Sequence, residues 1–263
     1  MNQIFQDNLL EMVDIVLINT SHPGNIGSAA RAMKTMGLSK LVLAYPENQV
    51  DEQSYALAAG AGEILDNARV ASTLSEALED STVIIGASAR RRTYEHTLLE
   101  PHEAGALIVA SALEGRKVSL MFGCERTGLT NEELEVCHYH VTIPANPEYS
   151  SLNLAMAVQV LTYEIRQAYL KYLGTDPMKE EIVHTSEKYL DKEQPASGDE
   201  IIGFHQHLEE VLLLTGFLHE NNRGSIMRKI KRIFSRPYLT RDDVNILRGI
   251  LSSVTRTVGH TNE

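Results

Sequence analysis

The chain has 263 residues, 43% of them hydrophobic, and a formal net charge of −11. That length and apolar content can bury a sizeable core, which excludes a disordered or fibrous chain and allows one large domain or one medium and one small. The acidic balance argues against nucleic acid as a general partner, because phosphate affinity comes mainly from Lys and Arg.

The opening residues MNQIFQDNLLEMVD carry acids and lack a basic start ahead of an apolar stretch, and no run of about 18 apolar residues follows. A soluble, cytoplasmic protein is expected. The two cysteines, Cys124 and Cys137, form no CxxC pair and have no histidine at zinc-finger spacing, so neither a metal site nor a disulfide framework is expected.

In chain order, the apolar run Val13–Ile18 reads as a buried strand, and after Pro23 and Gly24 the segment Ile26–Met36 has helical spacing. Leu41–Tyr45 reads as a strand and Gln53–Ala59 as a helix. A capping box, Thr73 with Glu76, opens a helix before the strand Thr82–Gly86. Pro101 suits the first turn of a helix running to about Leu113, and the strand Val118–Phe122 follows. A second box, Thr130 with Glu133, starts a short helix ahead of the strand His140–Ile143. A long amphipathic helix then runs from about Ser151 to Tyr172. Helical periodicity returns at Ile201–Leu218, Ile226–Phe234 and Val244–Val254.

Strands alternating with helices imply an α/β fold: a mainly parallel sheet with helices on both faces, spanning residues 1–172. A polar segment, 173–200, reads as a linker, and 201–263 as a small all-helical C-terminal domain. Within that tail, Arg223 to Arg241 holds seven basic residues and no acid, a local footprint that the net charge hides.

Parallel sheets bind ligands at the carboxyl ends of their strands, and three loops fall there. The first, residues 20–31, offers glycines and a helix N-terminus suited to an anion, with Arg31 within reach. Its GxxG spacing is no dinucleotide fingerprint. Asn25 is as well explained as a helix cap as by ligand binding, and Arg31 alone as a solvated charge. The second loop, residues 122–128, presents Glu125 and Arg126 from a glycine turn, which a local ion pair also explains. In the third, residues 143–153, two prolines stiffen the chain and Ser150 or Ser151 suits an N-cap. Asn153 has no such structural reason.

Taken together, NxGxxxR (Asn25, Gly27, Arg31), FGxExxGL (Phe122 to Leu129) and IPxxPEYSSLNLAMAVQ (Ile143 to Gln159) resemble the SpoU-class ribose methyltransferases of the SPOUT superfamily. Within that class the chain is similar to the TrmJ group, which modifies tRNA, and NILRGIL (Asn245 to Leu251) resembles that group's C-terminal extension. The resemblance implies a C-terminal trefoil knot, a homodimer with the site at its interface, and S-adenosylmethionine as cofactor. The cofactor would contact Ala87, Ser88, Ala89, Gly123, Ile143, Ser150, Ser151 and Leu152. The reaction implied is 2′-O-methylation of cytidine or uridine in tRNA, at anticodon-loop position 32, with rRNA as the nearest alternative substrate and a non-catalytic RNA-binding protein as a further reading. Arg31, Asn25, Glu125, Ser151 and Asn153 are the expected catalytic set. RNA would be held by Arg31, by Arg90 and Arg91, and by Arg228, Lys229, Lys231 and Arg232. Two positions depart from the group's pattern: Cys124 stands where Arg is usual and Ala87 where Thr is usual.

Overall fold

Every residue of β1 (Val13–Ile18) is buried, as required of a strand covered on both faces. Its one charged member, Asp14, pairs with Lys117 at 2.8 Å. The computed structural model describes residues 9–89, 97–174, 196–219, 221, 223–235 and 239–260. It adds six strands to the first: β2 (Lys40–Ala44), β3 (Arg69–Ala71), β4 (Val83–Ala87), β5 (Thr97–Leu99), β6 (Val118–Phe122) and β7 (Tyr139–Val141). They form one sheet in the order β3-β2-β1-β6-β4-β7-β5, with every pairing parallel.

Alternation along the strands divides the core in two. Val13, Ile15 and Leu17 point to one face, where they meet α1 (Pro23–Met36), α2 (Glu52–Ala58), α3 (Gly62–Asp66), α5 (Pro101–Leu113) and α7 (Leu154–Leu173). Val16 and Ile18 point to the other, against α4 (Leu74–Ala77) and α6 (Asn131–Glu135). Three tail helices, α8 (Gly198–Leu214), α9 (Arg223–Ser235) and α10 (Arg241–His260), enclose a third, smaller core around Phe204, Leu208 and Val244. The tail docks on the second face: Ile202 packs into its core, and the Gly198 amide donates to the Ser81 carbonyl at 2.9 Å. Among the described residues no helix is long and apolar enough to cross a membrane.

The expected strands and long helices are present, with shifted ends. Helix α1 begins at Pro23 rather than Ile26, because proline occupies its first turn. Strand β7 ends at Val141, not Ile143, where its partner β5 stops at Leu99. Helix α7 begins three residues later than Ser151. Its N-cap is Asn153, whose side chain accepts from the Ala155 amide, which corrects the assignment of that role to Ser150 or Ser151. Helix α8 starts inside the expected linker, at a Ser197 and Glu200 capping box, and stops at Leu214 ahead of Gly216 in the left-handed region. Most of that linker lies outside the described residues. Among the described residues β3, β5, α3 and a single 3-10 turn at Leu9–Met12 were not anticipated, being too short to show a period.

Gly27, central to the first motif, has a packing role. A Cβ there would lie 2.0 Å from the Ser54 carbonyl oxygen of α2, so only glycine lets α1 and α2 approach this closely. Gly27→Ala should therefore destabilise the fold by about 1–3 kcal/mol, as overpacking does. A lower urea midpoint at unchanged slope would register it; an unchanged midpoint would show that the helices separate without cost.

Candidate functional site

Parallel register brings the strand ends level. Phe122, last in β6, lies between Leu17 of β1 and Ala87 of β4, and Ala87 pairs in turn with Val141 of β7. The loops that follow β1, β4, β6 and β7 thus leave the sheet along one edge, where the chain order switches direction.

One carboxylate ties three of these loops together. Glu125, in the turn after β6, accepts from the Ser21 amide (3.1 Å) and hydroxyl (3.0 Å), the His22 amide (3.3 Å) and Asn25 Nδ2 (2.9 Å). Asn25 Oδ1 accepts from Asn153 Nδ2 at 3.0 Å, and Asn153 Oδ1 from the Ala155 amide at 2.9 Å. A continuous chain of side chains therefore runs from the β6 turn, through the start of α1, to the start of α7. Neither Ser21, the residue donating twice to Glu125, nor the capping role of Asn153 was singled out in advance.

The local backbone explains why Glu125 is held so firmly. His22, the N-cap of α1, makes no side-chain cap bond, and the Glu125 carboxylate from another loop accepts from the amides of Ser21 and His22, the two residues that lead into the helix. A negative charge there is one that the helix dipole favours. Partial burial pushes the Glu125 carboxyl upward, but the hydrogen bonds from Asn25 and Ser21 outweigh it and hold its pKa below the ordinary carboxylate value. The turn itself depends on two glycines. Gly128 sits at φ 67°, and a Cβ on Gly123 would come within 2.1 Å of the chain at Gly128 and Leu129.

Beside this turn lies a cleft of about 250 Å³. All eight positions expected to contact a cofactor line it: Ala87, Ser88 and Ala89 after β4, Gly123 after β6, and Ile143, Ser150, Ser151 and Leu152 before α7. Glu125 borders it too. Apolar walls that sequence reading did not assign to the cofactor site come from Phe122, Leu129, Val141 and Leu154; Phe122 and Val141 close their strands, so the strand-end rule alone could have found them. A ligand with a flat apolar body and polar edges suits this lining, since the strand-end main chain offers hydrogen-bonding groups and Gly123 and Gly128 keep side chains out of the wall.

Cys124 also faces the cleft. Its sulfur meets the Thr127 hydroxyl at 3.1 Å. Burial alone would raise the thiol's pKa, but the Thr127 hydroxyl and the main chain of Thr127 and Arg126 outweigh it and lower the value. Among the described residues no base is aligned on the sulfur, so they do not form an activated nucleophile. Cys137 is buried, and burial pushes its thiol up.

The remaining expected residues lie apart from the cleft wall. Asn25 and Asn153 stand behind it as its braces. Arg31 is exposed on α1, with no hydrogen bond or ion pair to another described residue. Arg90 and Arg91 fall outside the described residues. In the basic run, Arg228 and Lys229 are exposed on α9, whereas Lys231 is ion-paired with Glu135 at 3.4 Å. Arg223 pairs with Glu209 and Arg241 with Glu200. Arg232 belongs to α9, but its side chain is not among those described.

Comparison with known proteins finds two family matches. Residues 12–163 match the SpoU rRNA Methylase family, and residues 199–263 match the C-terminal domain of tRNA methyltransferase TrmJ. A tRNA (cytidine/uridine-2′-O-)-methyltransferase TrmJ from Pectobacterium atrosepticum is 49% identical over 250 residues, covering 95% of this chain and 99% of its own length. Among solved structures, TrmJ from Z. mobilis superposes with a TM-score of 0.77 at 29% identity, covering 92% of this chain and 98% of its own. A probable methylase family protein from Haemophilus influenzae is 47% identical, with a TM-score of 0.59, and covers 96% of this chain and 99% of its own.

The Glu125 hydrogen bonds have a pH signature. Because its folded-state pKa is depressed, its contribution to stability is complete above the unfolded-state value of roughly 4.3. That contribution is lost as pH falls through the lower folded-state value. Chemical denaturation of the wild type and of Glu125→Gln should show a constant stability gap from neutral pH down to about 5, narrowing at more acid pH. A gap that widens on acidification would contradict the network.

Proposed function

Because this chain belongs to the SpoU methylase family, we propose that it methylates the ribose 2′-OH of a cytidine or uridine in tRNA, using S-adenosylmethionine. The observation that carries this reading is the convergence of all three motif loops on one cleft and one hydrogen-bonded brace. The TrmJ match at residues 199–263 favours tRNA over rRNA as the substrate, and the anticodon-loop position 32 is the target the resemblance implies.

When bound, S-adenosylmethionine supplies a methyl group that is already electrophilic. The residues of this chain need only place the hydroxyl in line and manage its proton, and positioning of this kind is worth roughly 7–11 kcal/mol of a barrier. Ala87, Ser88, Ala89, Gly123, Ile143, Ser150, Ser151 and Leu152 hold the cofactor, largely through main-chain groups. Contacts of that kind tolerate Ala87 in place of threonine and Cys124 in place of arginine. Glu125, Asn25 and Asn153 keep the loops in register, and Ser151 stands exposed on the cleft wall.

Arg31 is assigned to the RNA. A guanidinium stays protonated at neutral pH and is a poor base. It clamps the phosphate beside the target ribose and stabilises the developing alkoxide, while the proton leaves to that phosphate or another acceptor. Its exposure and lack of a partner among the described residues support this role.

The assembly belongs to the same proposal. Met156, Tyr163 and Leu170 are exposed at seven-residue spacing on α7, one apolar stripe beside the cleft. It suits the interface of a homodimer. A trefoil knot in the carboxyl-terminal part of the α/β domain would keep the loops following β6 and β7 against the start of α7. Residues 201–263 form a second domain that grips tRNA backbone through Arg228, Lys229 and Arg232, aided by Arg90 and Arg91. The cytoplasm is where tRNA is found.

Single-turnover methyl transfer to tRNA tests the catalytic assignment. The wild type should transfer label from S-adenosylmethionine to a pyrimidine ribose. Arg31→Lys should fall by at least about tenfold at saturating tRNA, because lysine lacks the planar fork. Normal transfer by that variant would remove the clamp.

A further inference from the structure

We propose that Lys231 is a positioning residue whose ion pair with Glu135 sets the register between tRNA held on the tail and the methyl-donor cleft. This rests on the reading of the tail as an RNA grip. It gives Lys231 a different task from its neighbours in the basic run.

Helix α9 has three distinct faces. Ile230 and Phe234 pack against the tail's own core, and Met227 is buried on the same side of the helix. Arg228 and Lys229 point to solvent. Lys231 points at α6, where its ammonium lies 3.4 Å from Glu135; the two side chains are 24% and 4% exposed. Burial holds the Glu135 carboxyl above its ordinary value, with Lys231 and, more weakly, Arg228 opposing that rise. A carboxylate so buried depends on its cation, and removal of one partner costs far more than the pair contributes.

Packing alone does not fix this junction. Beside the ion pair a cavity of about 280 Å³ separates α4 and α6 from α8, with Lys231 in its wall. His205, 4% exposed, lines the same cavity, and its Nε2 has no hydrogen-bond partner among the described residues. Close-packed side chains would lock α9 in place. Around this cavity, the ion pair is a directional contact that joins α9 to α6.

Helix α6 transmits that position to the cleft. It is five residues long, about 7.5 Å at the standard rise, and its N-cap Thr130 directly follows Leu129 of the cleft wall. Glu133 locks the same helix, accepting from the Thr130 amide at 2.7 Å and from the Tyr45 hydroxyl at 2.7 Å. The path from the tail is therefore Lys231 to Glu135, along α6, to Leu129.

The test uses the full-length protein and compares Lys231→Met with Lys231→Arg and with the nearly isosteric Glu135→Gln. Lys231→Met and Glu135→Gln should lower the single-turnover rate at saturating tRNA by about tenfold or more. Calorimetric affinity for S-adenosylmethionine and the salt slope of tRNA binding should stay unchanged, and Lys231→Arg should restore the rate. The double variant Arg228→Ala, Lys229→Ala should instead lower the salt slope by roughly two units. If Lys231→Met and Glu135→Gln keep a normal saturating rate, or if Lys231→Met loses about one unit of slope as a phosphate contact would, registration is overturned. An unchanged slope in the double variant would instead overturn the tail-grip premise.

Discussion

The site depends on one buried-edge carboxylate. Glu125 accepts from the amides of Ser21 and His22 that lead into α1, and through Asn25 and Asn153 it reaches the start of α7 as well. It links three loops from distant parts of the chain. Since any cofactor in the cleft is contacted from several loops at once, sub-ångström placement of those loops is the precondition for in-line transfer. The brace is thus a structural device with a chemical result.

The sheet makes that brace possible. All pairings are parallel, so every strand delivers its carboxyl end to the same edge, and β6 inserted between β1 and β4 puts residues more than a hundred apart in sequence side by side. Two cores of unequal size cover the faces. The larger holds the helices that carry Asn25, Arg31 and Asn153, and the smaller receives the tail. The cleft and the tail are therefore connected through α6, whose far end meets Lys231.

Much of this was legible in the sequence, for identifiable reasons. Long buried strands and helices such as Val118–Phe122 and Pro101–Leu113 announce themselves by apolar runs and proline placement. Three-residue edge strands such as β3 and β5 carry no period and were not found. The cleft residues were recognised because the motifs keep their order, yet the roles within the motifs needed coordinates. Gly27 proved to be a contact between α1 and α2, and Asn153, which seemed to lack a structural reason, is the N-cap of α7. Charge reading also had a limit: a run of cations predicts a footprint, but only the structure separates Arg228 and Lys229, which face solvent, from Lys231, which pairs with a buried acid.

The most direct measurement is a map of ribose methylation across tRNA and rRNA from cells with and without this gene. Loss of one 2′-O-methylated pyrimidine from tRNA, with rRNA methylation intact, is the predicted result. Intact tRNA methylation together with a missing rRNA methyl group would contradict the assignment.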